Sequence, residues 1–155
     1  MMNMFTETIE PYKGTEHLNL SMSYEEIKNF LKREGIKYSV ELWDNRDCNP
    51  PVPWKILRIK GKASLYFAKE SMFKICFEGE YGGSLINGIR TGMPMENAKT
   101  IDNSLAFDDN EEEYQSAEGY WIEDDIDTQN VATISVFIPE ILNEEEFFSY
   151  RWTNK

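Results

Sequence analysis

The run Leu18-Asn19-Leu20-Ser21-Met22-Ser23-Tyr24-Glu25-Glu26-Ile27 is echoed 71 residues later by Ile89-Arg90-Thr91-Gly92-Met93-Pro94-Met95-Glu96-Asn97-Ala98. Each copy reads as a short extended stretch, a small residue, a methionine, then Ser or Pro opening an acidic helix. Met22 matches Met93 and Glu25 matches Glu96, while Phe30 with Ile101 and Ile36 with Phe107 keep apolar character. A repeated supersecondary unit restricts the possible folds more than composition does. Ser23 is a natural N-cap with Glu26 three residues on, a capping box. The predicted helix spans 24–34, with Tyr24, Ile27, Phe30 and Leu31 on one face and Gly35 as its stop. Pro94 takes the first position of a shorter helix over 94–102, where its missing N–H costs nothing.

Strand patterns follow each helix. In the first half they fall at 37–43, 54–60, 63–69 and 72–78, the last two reading as an antiparallel hairpin around Lys69-Glu70-Ser71. Alternation puts Phe73, Ile75 and Phe77 on one face. Asp44 to Pro53 is a loop, because Pro50, Pro51 and Pro53 exclude a helix interior or central strand. Gly79 to Gly83 reads as a flexible connection between the halves. In the second half 118–124 and 131–138 read as strands around a turn at 127–130, with Ile134, Val136 and Ile138 on one face. A short last helix is expected within 141–152. The predicted class is α+β, with two related helix-then-antiparallel-sheet halves. We expect a single compact domain over 1–155, with halves of about 14–80 and 85–140 and a C-terminal segment 141–155.

Composition narrows the function. Hydrophobic residues make up 41% and aromatic residues 14% of the 155, enough to build a core. No run approaches the roughly 20 apolar residues of a membrane span, and the start has neither the basic residues nor the apolar run of a secretory signal. Cys48 and Cys76 form no CxxC, which fits a reducing cytoplasm. The single histidine, His17, reads as a turn residue and cannot build a multi-histidine metal site. Phosphate-loop, dinucleotide and G-x-S-x-G signatures are missing. A calcium loop begun by Asp125, Asp127 and Gln129 fails at Asn130 and Val136, where Gly and Glu are required. Cys76 sits in an apolar strand as a small hydrophobe, and Cys48 lies in a loop without an identifiable base. The reading is of a protein that is not an enzyme and takes no cofactor or metal. A carboxylate-dependent enzyme using Glu123 or Asp124 is kept as an alternative, as is a general protein-binding or scaffold module.

The net charge is −12 and lies almost wholly in one half. Residues 1–77 hold 12 Lys/Arg and 10 Asp/Glu, whereas residues 78–155 hold 4 and 18. Such a field repels nucleic acid and anionic membrane and favours a basic protein. Its densest part, 108–127, carries ten carboxylates and no Lys or Arg. The candidate partner-binding residues are Asp108, Asp109, Glu111, Glu112, Glu113, Tyr114, Tyr120, Trp121, Glu123, Asp124, Asp125 and Asp127. Aromatics inside a charged rim mark binding surfaces, although a charge run is also the ordinary solvated face of a domain. Strand alternation sends one of Tyr120 and Trp121 inward and the other outward.

The Leu18–Ile27 motif and its echo at Gly92-Met93-Pro94-Met95-Glu96 resemble the helix start that recurs in the β-lactamase inhibitor protein and in related outer-membrane-assembly lipoproteins. Two positions depart from it: Ser21 stands where glycine is usual, and Asn97 replaces the second Glu. With the opening Ile9-Glu10-Pro11-Tyr12-Lys13-Gly14, the chain is similar to immunity proteins of bacterial contact-dependent inhibition systems. No lipidated cysteine supports the lipoprotein branch. The resemblance implies a tandem-repeat fold whose sheet is presented to a protein target. It further implies a cytoplasmic monomer that neutralises a cognate basic toxin, such as a nuclease domain, in a one-to-one complex.

Overall fold

In the computed structural model, which describes residues 3–154, the Ser23 hydroxyl accepts the Glu26 N–H at 3.1 Å. The Glu26 carboxylate accepts the Ser23 N–H at 3.0 Å. This capping box starts α1 (Tyr24–Arg33). Gly35, at φ +69°, takes the left-handed conformation that ends it. Pro94 sits one position earlier than expected. Its ψ of 137° is extended, so it is the N-cap, and α2 (Met95–Ile101) begins after it.

The chain is a mixed α/β protein with few helices and one antiparallel eight-stranded sheet. Four strands follow α1: β1 (Ser39–Trp43), β2 (Trp54–Ile59), β3 (Ala63–Ala68) and β4 (Ser71–Phe77). Four more follow α2: β5 (Ala106–Asp108), β6 (Glu113–Gln115), β7 (Trp121–Asp124) and β8 (Val131–Phe137). The order across the sheet is β1-β2-β3-β4-β8-β7-β6-β5. The last strand of each set meets the other at the centre, with Ile75 opposite Val136 and Phe77 opposite Ile134. The Tyr24 N–H donates to the Glu70 carbonyl at 3.0 Å, and the Met95 N–H donates to the Gln129 carbonyl at 2.9 Å. Each helix is thereby tied to the turn that precedes the last strand of its own set. The short strands β5 and β6 lie in the acidic run, where the sequence pattern gave no strand. Charged residues are poor strand formers, and β5 and β6 form as continuations of the β7–β8 pairing.

One face of the sheet carries α1, α2 and the N-terminal segment. Tyr24 of α1 packs edge-on against Phe67 at 5.2 Å, and Lys55 Nζ lies 4.1 Å from the Tyr24 ring. Leu57, Leu65, Ile75 and Val136 are completely buried, each stabilising by roughly 1.5–3 kcal/mol. Gly79 to Gly83 is not a flexible link: the Tyr81 hydroxyl donates to the Glu7 carbonyl at 2.6 Å and the Gly82 N–H to the Phe5 carbonyl at 2.7 Å. The N-terminal segment lies over this connection and pins it.

The opposite face is partly covered by the C-terminal segment, which includes α3 (Glu144–Phe147). A register shift between β3 and β4 places two residues, Phe73 and Lys74, where alternation expects one. Phe73 therefore leaves the face of Ile75 and Phe77, contrary to the sequence pattern. It packs instead on Trp54 at 4.9 Å, Phe147 at 5.1 Å and Trp152 at 5.8 Å. The bulge thus supplies the apolar seat on which the C-terminal segment rests.

Gly14 shows how closely the N-terminal segment approaches the sheet. At φ +101°, a Cβ there would meet the Leu18 carbonyl oxygen at 2.5 Å and Ile75 Cδ1 at 2.9 Å. Gly14→Ala is expected to lower stability by more than about 1 kcal/mol, read as a fall in the urea midpoint with an unchanged slope.

Candidate functional site

The second set of strands is an up-and-down meander, so antiparallel pairing brings the β5–β6 and β7–β8 turns to the same end of the sheet. Asp109, Glu111 and Glu112 stand exposed on the first turn, and Asp125 and Asp127 on the second. Asp108 and Asp125 also shape these turns. Asp108 Oδ1 accepts the N–H groups of Asn110 and Glu111, and Asp125 Oδ1 accepts those of Asp127 and Thr128. Ile126 projects from the second turn, 87% exposed and flanked by Asp124, Asp125 and Asp127. Sequence reasoning passed over it because a single apolar residue in a turn carries no periodicity.

Among the described residues, every ion pair joins groups of the first half: Lys13–Glu10, His17–Glu7, Lys28–Glu25, Arg46–Asp44 and Arg58–Glu41. None of the described carboxylates from Glu78 onward lies within ion-pairing distance of a cation. Most of the acidic half's charge therefore faces outward without an ion-pair partner.

On the open face, Trp121 is half-buried against Phe137, with ring centroids 4.2 Å apart. Glu123 shares that face and is exposed, and Glu113 stands directly opposite Asp108 on the neighbouring strand. Burial pushes the Glu113 carboxyl up to about 7, with Glu111, Glu123 and Asp108 adding to the rise and Lys74 opposing it. Lys74 Nζ also lies 4.3 Å from the Tyr66 ring. Tyr66 and Lys74, absent from the predicted set, thus border it from the first half.

Tyr114 and Tyr120 point the other way. Tyr114 packs on Phe107 at 5.1 Å, with Lys99 Nζ over its ring at 4.8 Å. Tyr120 is 1% exposed and presents nothing to a partner. Its hydroxyl donates to Asp102 Oδ2 at 2.5 Å, and Asn87 Nδ2 donates to that hydroxyl at 3.1 Å. Asp102, buried at the end of α2, also accepts the hydroxyls of Ser104 at 2.6 Å and Ser116 at 2.5 Å, and the Ser104 N–H at 3.0 Å. Burial opposes ionisation, yet these donors outweigh it and hold the Asp102 carboxyl well below the usual carboxylate range. The network braces the acidic strands from inside. No sequence signal marked it, since its members lie up to 33 residues apart.

His17 is a half-buried clasp and not a free turn residue. Its ring stacks on Phe30 at 5.7 Å, its Nδ1 meets Glu7 Oε2, and its N–H donates to Glu7 Oε1 at 3.1 Å. With Glu16 these residues form the one cluster, among those described, with three metal-ligating groups within 4.8 Å. Both oxygens of Glu7 are already engaged by His17, which accounts for their closeness. Cys76 is buried, with its thiol pushed up by burial, and Cys48 is exposed. No helix among the described residues is long and apolar enough to cross a membrane. Compared with known proteins, the chain matches no family model, no curated protein and no solved structure.

Two outcomes follow from the buried carboxyls. Asp102→Asn is expected to cost about 1–3 kcal/mol in urea titrations at pH 7. The penalty should shrink as pH falls below the ordinary Asp value of about 3.9, because the unfolded chain takes up a proton there while the folded carboxyl is still charged. Glu113 has the opposite sign: its folded value is raised, so it erodes stability as pH rises from about 4.3 through about 7. Glu113→Gln is expected to raise the urea midpoint at pH 8 and leave it unchanged at pH 4.

Proposed function

We propose that this protein is an immunity protein that binds and neutralises a basic protein toxin, such as a nuclease domain, through its acidic second half. The observation that carries the reading is the uncompensated charge. Ten carboxylates lie between Asp108 and Asp127, with no Lys or Arg among them, and the described ion pairs lie in the other half. Like charges left unpaired beside Trp121 and Ile126 put an aromatic and an aliphatic group inside an acidic rim, the composition of a binding surface for a basic protein. A toxin that holds nucleic acid presents cations for phosphate. An acidic surface competes for those cations and steers the encounter.

The two halves are inferred to be related copies, in keeping with the resemblance to tandem-repeat inhibitors. Supporting this are helix starts 71 residues apart at Tyr24 and Met95. The matched hydrogen bonds from the Tyr24 and Met95 N–H groups, and the isolated bridges Ser23–Ser71 and Pro94–Asn130, point the same way. The protein acts in this reading as a cytoplasmic monomer in a one-to-one complex.

The test is co-expression with a basic protein encoded beside it; the lack of any such neighbour would count against the reading. Growth should fail with that protein alone and return with the pair. In stopped-flow mixing, association should slow at least about tenfold between 0.05 and 0.5 M salt, as screened steering requires. Salt-independent association, or rescue undiminished when Glu111, Glu123, Asp125 and Asp127 are all neutralised, would overturn the reading.

A further inference from the structure

A cleft of about 440 Å³ opens between the β5–β6 hairpin and the C-terminal segment. Trp121, Leu142 and Phe148 form apolar walls, and Asp108, Glu111 and Glu144 stand among them; no lining residue is basic. Leu142 is 58% exposed and Phe148 43%. Together with Trp121 they make a contiguous apolar patch rimmed by unpaired carboxylates, the arrangement that marks a binding site. Like charges are also crowded at this point. Asp108 and Glu113 are direct cross-strand neighbours, an arrangement that destabilises a sheet, and Glu111 and Glu123 lie close enough to raise the Glu113 carboxyl. A cation entering the cleft relieves that repulsion.

We propose that this cleft seats an arginine side chain of the basic partner, its guanidinium lying against the aromatic wall and its N–H groups reaching Asp108, Glu111 and Glu144. The inference rests on the acidic-surface reading above and adds where a cation is held and which one. Arginine fits better than lysine. Its plane stacks on aromatic rings and its donors span two carboxylates, whereas ammonium is a compact, strongly hydrated charge. A neutral residue of the same shape gains the stacking but not the charge-assisted hydrogen bonds.

The probes are tetra-arginine, tetralysine and tetracitrulline peptides, titrated into the ¹⁵N-labelled full chain and followed by backbone and indole NMR signals. Tetra-arginine should shift the Trp121 indole, bind several-fold tighter than tetralysine, and outcompete tetracitrulline. Glu111→Gln with Glu144→Gln, both at exposed positions, should weaken tetra-arginine binding about tenfold. An equal loss of charge outside the cleft, Glu80→Gln with Glu96→Gln, both at exposed positions, should cost about threefold or less, the share of a screened field alone. Equal losses from the two pairs, or equal affinities for arginine and lysine, would overturn the cleft while leaving the acidic surface standing. Tetracitrulline binding as well as both cationic peptides would overturn the acidic reading itself.

Discussion

The pairing of β4 with β8 is the contact on which the rest of the molecule depends. Neither four-stranded meander has a partner of its own for its last strand, and each leaves one helix to cover one face. Placing Ile75 against Val136 and Phe77 against Ile134 joins both apolar faces into a single core. It also moves the remaining free edges, β1 and β5, to opposite ends of the sheet. The N-terminal segment reinforces the junction by packing on the connection between the sets, with Ile9 bridged to Leu85 and Tyr81 held to Glu7, and by reaching both central strands, with Gly14 against Ile75 and Tyr12 against Phe137.

That arrangement separates the charges. The near-neutral half forms one side of the sheet and compensates its carboxylates locally. The acidic half forms the other side, and its charge is tolerated because most of it is exposed to water. The exceptions are instructive. Asp102 is buried but surrounded by donors, so its charge is held firmly. Glu113 is half-buried among other acids with only Lys74 nearby, so its charge is easily given up. The same side-chain type is locked in one place and poised in another, and the difference lies entirely in the neighbours.

Features encoded by neighbouring residues were legible in the sequence. The Ser23–Glu26 box, the Gly35 stop and the β3–β4 hairpin each depend on a handful of consecutive positions. Features that need a distant partner were not. The bulge at Phe73 reverses a face that strict alternation assigned with Ile75 and Phe77, because the ring answers to Phe147 and Trp152, far along the chain. Strands β5 and β6 escaped notice because pairing, and not propensity, makes them. Of the candidate site, the acidic run was plain from composition. Choosing between Tyr120 and Trp121 required the register of β7, and Ile126, Leu142 and Phe148 required knowing which apolar groups the core leaves out.

The bracing of the acidic strands from within has a consequence for how such a protein can change over generations. Tyr120, Asp102 and Ser116 hold the scaffold through inward-facing contacts, while the side chains of residues 109–112 and 126–128 stand exposed on the turns. A lineage can rewrite the charge pattern of those turns, one residue at a time, without disturbing a single packed side chain. If these turns form the recognition surface proposed above, their specificity is free to drift while the architecture stays still.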